Sequence, residues 1–244
     1  MKVIGYLPCH YGLEYLKESL LSVVDHVDKF VVLYSATPSY GHGAEEECPE
    51  SREDIHKIAS EVLGDKMVFV DVCCGNEAEH RDTIYNYTAG YDLILTIDAD
   101  EVYDPEDVQN ALEIAYRSDK KYIGIQGYIN LWKSFDHACY DGFVPVRIIN
   151  LANTDGQGAV PMRVYHFSTA QSDVVMRYKY EIHGHKDELR PDWLEKTYFG
   201  WTREENQKDL HPVAIGLWNA TPFDKNTLPK ILKDHPNFNK EVIG

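Results

Sequence analysis

The feature that most constrains this chain is the rhythm of its first half, where strand-length apolar runs alternate with amphipathic stretches in units of about 30 residues. KVIGYLP (2–8), KFVVLY (29–34), KMVFVDV (66–72) and DLILTI (92–97) are short, nearly continuous in apolar character and rich in β-branched or aromatic residues. Runs of this kind suit strands buried on both faces, as in a parallel sheet. Between them, residues 13–24 place apolar side chains at 13, 16, 20, 21, 23 and 24, residues 52–63 are amphipathic and stop at Gly64, and 77–89 form a third helical stretch. A fourth spans 104–117, with Asp104 as N-cap and Pro105 at the first helical position. The alternation predicts βαβ crossovers and a Rossmann-like α/β layer, mostly parallel, with helices on both faces. Residues 35–49, rich in Gly, Ser, Pro and acid, read as a loop.

The second half changes character. Residues 122–132 (YIGIQGYINLW) read as a longer strand, and 143–150 and 162–167 as two more around the turn-rich NTDGQGAV. Helical patterning returns over 174–180 and 193–208, and the tail carries three prolines and a short helical piece. No linker separates residues 1–103 from 104–244, so a smaller mixed lobe is expected to join the first half in one compact domain.

Charge narrows the choice of partner. Twenty-four Lys+Arg against 40 Asp+Glu give a net charge of −16. A nucleic-acid binder needs a basic face, and adhesion to anionic membranes needs the same sign. No run approaches the ~18 apolar residues of a membrane span, and Cys9, His10, Glu14 and Lys17 interrupt any N-terminal signal-like segment. Five scattered cysteines, an odd number, point to a reducing, cytoplasmic setting; Cys73 and Cys74 read as small buried residues at a strand end.

The fourth strand runs directly into Asp98-Ala99-Asp100-Glu101. Ligands of open parallel sheets bind at the carboxyl ends of strands. Two carboxylates one residue apart can converge there on Mg²⁺ or Mn²⁺, with ligand oxygens completing the shell. A diphosphate near bare carboxylates is repelled, since a charge pair at ~4 Å is worth ~4 kcal/mol at an effective dielectric of ~20. A divalent cation would reverse that sign and neutralise a leaving diphosphate. Glu101 and Asp104 read as caps of the helix that follows.

Three stretches carry a resemblance: IGYLPCHYGLEYLKESLLSVVDHVDKFVVLYS, EAEHRDTIYNYTAGYDLILTIDADE and VYHFSTAQSDVVMRYKYEIHGH. They resemble the GT-A glycosyltransferases close to glycosyltransferase family 2, in a small form common in bacteria and phages. Cys9-His10 stands where the family often has Asn, Tyr34-Ser35 where it often has an acid, and Arg81-Asp82 where it has Arg-Asn. The resemblance implies the GT-A fold, with 1–103 binding a nucleotide-sugar donor, UDP-linked by preference, and 104–244 binding a glycan or other hydroxyl acceptor, with inversion. It implies that Leu7, Pro8, Tyr11 and Tyr34 flank the nucleoside, that Arg81, Asp82 and Ala99 lie at nucleotide or sugar, that Asp98 lies nearer the ribose, and that Asp100 ligates Mn²⁺ or Mg²⁺. It also implies a late histidine on the metal, for which His166 and His185 are the candidates, with His183 beside them. A neutral imidazole suits Mn²⁺ better than Mg²⁺.

Arg177 and Lys179 are the basic residues nearest that segment and could touch a diphosphate. An inverting transfer needs a base within hydrogen-bond reach of the acceptor hydroxyl. Asp136, Asp141, Asp155, Asp173, Glu181, Asp187 and Glu188 are available, and Asp141 and Glu181 are favoured because each sits among aromatic or His residues. Tyr128, Trp132, Phe135, Tyr140 and Phe143 form a candidate sugar platform. Rival readings are a metal-dependent nucleotidyltransferase acting on sugar phosphates, a non-catalytic carbohydrate-binding protein, and a zinc hydrolase built on His166, His183 and His185.

Overall fold

Side chains of β1 (Val3–Cys9) alternate between two cores, which explains why its sequence is apolar throughout. Val3, Leu7 and Cys9 point to one, Ile4 and Tyr6 to the other, and β2 (Lys29–Ser35) repeats the division with Phe30, Val32 and Tyr34 against Val31 and Leu33. β3 (Met67–Val72) and β4 (Leu93–Thr96) complete a parallel unit of order β4-β1-β2-β3. The computed structural model describes residues 1–38, 47–74, 76–205 and 207–244; part of the expected loop 35–49, residues 39–46, lies outside the described residues.

The first core receives α1 (Leu13–Val23), α2 (Arg52–Leu63) and α4 (Pro105–Arg117) through Leu16, Leu20, Ile55, Ala59, Val108 and Leu112. Each fully buried leucine there contributes about 1.5–3 kcal/mol by leaving water. Ile84 covers the opposite face. Asp104 caps α4 as expected, accepting from the Glu106 amide at 3.1 Å, with Pro105 next in line. The helix expected over 77–89 ends earlier. α3 covers only Glu77–Asp82 and gives way to a 3₁₀ segment, Thr83–Tyr87. Thr83 Oγ1 donates back to the Glu79 carbonyl, a local bond that competes with helix continuation.

The sheet continues without a break across residue 103. β8 (Val146–Asn150) pairs antiparallel with β4, β6 (Tyr122–Trp132) antiparallel with β8, and β9 (Gln157–Thr169) parallel with β6. Short β5 (Glu101–Tyr103) pairs with β9, and β7 (His137–Cys139) and β10 (Thr221–Pro222) extend the other edge. The fold is thus mixed α/β with a mostly parallel centre and helices around it, as expected. β9 is longer than the expected 162–167 because β6 pairs along nearly all of it. The strand expected from 143 begins at Val146, since Asp141 Oδ1 accepts the Phe143 amide at 2.8 Å and turns the chain there.

α5 (Asp173–Glu181) matches its expected position, whereas the helix expected over 193–208 does not form. A single π-helical turn, Trp193–Tyr198, replaces it. Its aromatic spacing serves a different end: Trp193, Tyr198, Trp201 and Trp218 meet the fully buried Trp132 edge-on at centroid distances of 5.8–6.5 Å. Of the adjacent cysteines, Cys73 is exposed and Cys74 half-buried, because β3 ends one residue earlier. No helix among the described residues is long and apolar enough to cross a membrane.

Candidate functional site

β2 and β3 lie to one side of β1 and β4 to the other, so strand order reverses between β1 and β4 while the strands stay parallel. A crevice opens at such a switch point, at the carboxyl ends of the two strands. Here it is floored by the turn His10-Tyr11-Gly12 leaving β1 and by Asp98-Ala99-Asp100 leaving β4. Gly12 has φ 129°, and a Cβ there would stand 2.4 Å from the Ala99 Cβ. Only glycine lets the two turns touch. Gly12 has no side chain to cap α1, and the Glu50 carboxylate does so instead, accepting from the amides of Gly12 and of Leu13 (2.9 Å). Burial pushes the Glu50 pKa up, against the pull of those two amides. His10 is fixed by donating from Nδ1 to the Ser35 carbonyl (2.8 Å) and accepting the Tyr178 hydroxyl at Nε2 (2.6 Å), and burial lowers its pKa.

Every carboxylate of the acidic stretch meets a cation from elsewhere in the chain. Asp98 Oδ2 accepts from Arg147 Nη2 at 2.8 Å, and its Oδ1 lies 3.7 Å from Arg81 Nη2, whose Nε bonds Glu77 at 2.7 Å. Glu101 is not the solvated cap expected from sequence. It is 0% exposed, receives Arg147 at both oxygens, and accepts the hydroxyls of Tyr128 (2.7 Å) and Tyr103 (3.3 Å). A charge this deep persists only when paired and fully hydrogen-bonded. Asp100 Oδ2 accepts from Lys179 Nζ (3.1 Å) and Gln171 Nε2 (3.0 Å). Burial alone would raise the Asp100 pKa; Lys179 and His166 outweigh it and hold it at about 2. Asp98, Asp100 and Glu101 thus each meet a protein cation, with Arg81 shared between Asp98 and Glu77, so the repulsion expected of a bare acidic pair is partly met inside the chain.

His166 lies across from Asp100, its Nε2 3.7 Å from Asp100 Oδ1. Its Nδ1 donates to Asn130 Oδ1 at 2.8 Å, which leaves the Nε2 lone pair facing the carboxylate. Burial lowers its pKa, so the ring is neutral at pH 7. A carboxylate oxygen and an imidazole nitrogen in this relation fit two positions of an Mn²⁺ shell. Among the described residues, no group of three or more His, Cys, Asp or Glu converges to hold a metal, and the three-histidine zinc arrangement is not assembled. Asp98 is engaged by its two arginines, and His185 bonds Glu188 at 3.3 Å.

Three cavities adjoin through shared walls. A small one of about 90 Å³ runs over Pro8, His80, Arg81 and Asp98; a central one of about 260 Å³ over Pro8, Tyr11, Gly12, Ala99, Asp100 and Lys179; and a large one of about 460 Å³ lies beyond His166 and Lys179, which line both. Pro8, Tyr11, Arg81, Asp98 and Ala99 thus line these cavities. Leu7 and Tyr34 belong instead to the first core, Tyr34 stacked on Phe69, and Asp82 is exposed on α3 away from these cavities. Asp141 uses both oxygens internally, on the Phe143 amide and Trp218 Nε1 (2.7 Å), and Glu181, half-buried at the end of α5, lines none of the three. Of the carboxylates considered as bases, Glu188 lines the large cavity. Of the five proposed platform aromatics, only Phe143 lines it: Trp132 and Phe135 are core, Tyr128 is spent on Glu101, and Tyr140 points to solvent. Arg147 and Gln171 were not singled out from sequence. They are far from their partners along the chain, and only the fold brings them together.

Fold and site define an α/β protein with an acidic crevice at its switch point, its carboxylates paired with protein cations. No family model matches the chain, and no curated protein matches it. Among solved structures it resembles S. aureus TarS 1–349 (TM-score 0.45, 13% identity, 77% of this chain and 69% of that one). It also resembles the longer S. aureus TarS (TM-score 0.37, 16% identity, 52% of this chain) and the 4-diphosphocytidyl-2C-methyl-D-erythritol synthase of Anaerococcus prevotii (TM-score 0.43, 12% identity, 72% of this chain and 93% of that one). The match spans 21% of the longer TarS chain.

Proposed function

We propose that this protein transfers a sugar from a nucleoside-diphosphate sugar, UDP-linked by preference, to a hydroxyl acceptor with inversion. The observation that carries the reading is the placement of Asp98-Ala99-Asp100 at the switch-point crevice with the Nε2 lone pair of His166 turned toward Asp100. The nucleoside would lie over Pro8, Tyr11 and the Arg81 wall. Asp100 and His166 would hold Mn²⁺ or Mg²⁺, whose chemistry when bound is to neutralise a diphosphate. Arg147 and Arg81 fix Asp98, and Lys179, with all three protons spent on Asp100 and Ser168, fixes Asp100. The large cavity would hold the acceptor, and Glu188 in its wall, through the oxygen that His185 leaves open, would take the hydroxyl proton.

The test is a panel of nucleotide sugars scored for nucleoside diphosphate release, with proton NMR of the product anomer. Asp100→Asn keeps the shape and removes the charge. Release should fall more than tenfold, over ~1.4 kcal/mol of barrier. Undiminished release would remove Asp100 from the site, and pyrophosphate release from a triphosphate plus sugar phosphate would make the protein a nucleotidyltransferase.

A further inference from the structure

The large cavity and its rim carry a chemical signature of their own. Its wall is mostly carbon, from Met176, Tyr180, Trp193, Val213, Trp218 and Phe143, with Tyr180 stacked on Trp193 at 6.1 Å. Its volume of about 460 Å³ is in the range of small-molecule sites. The charges that reach it are occupied: Lys179 by Asp100 and Ser168, Glu188 by His185. His183 and His211 are neutral, burial lowering both. Among the described residues of this wall, none offers a free cation to a phosphate or carboxylate.

The rim continues the same chemistry outward. Phe143 is 58% exposed and Val144 44%, beside exposed Tyr140, and between the wall residues Val213 and Trp218, Ile215 is 83% exposed with Leu217 at 44%. These residues sit on two loops tied together by the Trp218 Nε1 to Asp141 Oδ2 bond, and Phe143 and Val213 belong to the cavity wall itself. Single exposed apolar residues mean little, but several on two linked loops that also supply the wall of an apolar cavity mark a contact site. The net charge of −16 speaks against an anionic bilayer as the occupant.

We infer that the large cavity and its rim bind an uncharged, hydroxyl-bearing acceptor that carries an apolar substituent, with the polar head inside near His166 and the substituent across Phe143 and Ile215. The inference rests on the proposed transfer, yet its test does not need transfer to occur. Trp193 and Trp218 report occupancy by their fluorescence. Methyl, octyl and 4-nitrophenyl β-glucosides and glucose 1-phosphate are titrated, with octyl glucoside below its micelle concentration; the nitrophenyl compound, which quenches, is read by calorimetry. The expected result is a saturable response at least tenfold tighter for octyl or nitrophenyl than for methyl glucoside, with no gain from the phosphate. Octyl winning over nitrophenyl identifies a lipid-like substituent, the reverse an aryl one. The exposed-rim variant Phe143→Ser/Ile215→Ser should erase the preference, while Val174→Ser, exposed on α5, should not. Equal affinity for methyl and octyl glucoside, tighter phosphate binding, or a preference untouched by the rim variant would overturn the inference. A parallel UDP titration separates the two readings, since UDP binding without substituent preference defeats this inference alone.

Discussion

Replacing Arg147 by methionine removes the guanidinium that serves both Glu101 and Asp98. The side chain of Arg147 is 11% exposed and that of Glu101 0%, so water cannot replace the lost partner. Glu101 would keep the Tyr128 hydroxyl, worth about 1.5–3 kcal/mol to a charged acceptor, and a weaker share of the Tyr103 hydroxyl, which is nearer the Thr96 carbonyl, but not its counter-charge. Breaking one side of a buried pair costs ~3–5 kcal/mol. For a chain of 244 residues each kcal/mol moves Tm by ~2 °C, giving a fall of ~6–10 °C. Differential scanning calorimetry measures it, with urea unfolding to confirm one transition. Adding Glu101→Gln to Arg147→Met removes the stranded charge yet retains an acceptor for the two tyrosines, and should recover at least half of the loss. A fall below ~2 °C in the single variant, or a double variant less stable than the single, would refute the view that a buried counter-charge holds this corner together.

Gly12→Ala should cost more than ~1 kcal/mol, because alanine disfavours φ 129° and its Cβ would press on Ala99; the same variant should weaken UDP binding, as read by calorimetry, since the turn carries the crevice floor. Burial lowers the pKa of His80, whose Nε2 donates to the Leu33 carbonyl at 2.9 Å. Its folded pKa thus lies below the unfolded value of ~6.5, so stability is level above that pH and falls as acidification protonates the unfolded chain first. A Tm series from pH 7.5 to 5 should show that slope reduced in His80→Gln, and an identical slope would exclude His80 as a source.

The parallel unit was legible because strands buried on both faces must be apolar along nearly their whole length, and β1, β2 and β4 are, apart from end residues such as Lys29, Ser35 and Thr96. The acidic stretch was legible for a topological reason, since a strand end in such a sheet is where ligands bind. What sequence missed depends on distant contacts. Glu101 looks like a helix cap until Arg147, 46 residues away, closes on it. Lys179, read as a diphosphate contact, spends its charge on Asp100. The aromatic residues at 193, 198 and 201 follow no single period because they converge on Trp132 from an irregular segment, which is why a helix was expected there and why the wall of the large cavity went unseen.

The central claim, that Asp100 and His166 prepare this crevice for a diphosphate through a divalent cation, is tested most directly by calorimetric titration of UDP into the protein with and without Mn²⁺, and into Asp100→Asn with Mn²⁺. The account predicts saturable binding to the unaltered protein that is at least tenfold tighter with Mn²⁺, and loss of that gain in the variant. Equal affinity in all three titrations would contradict it.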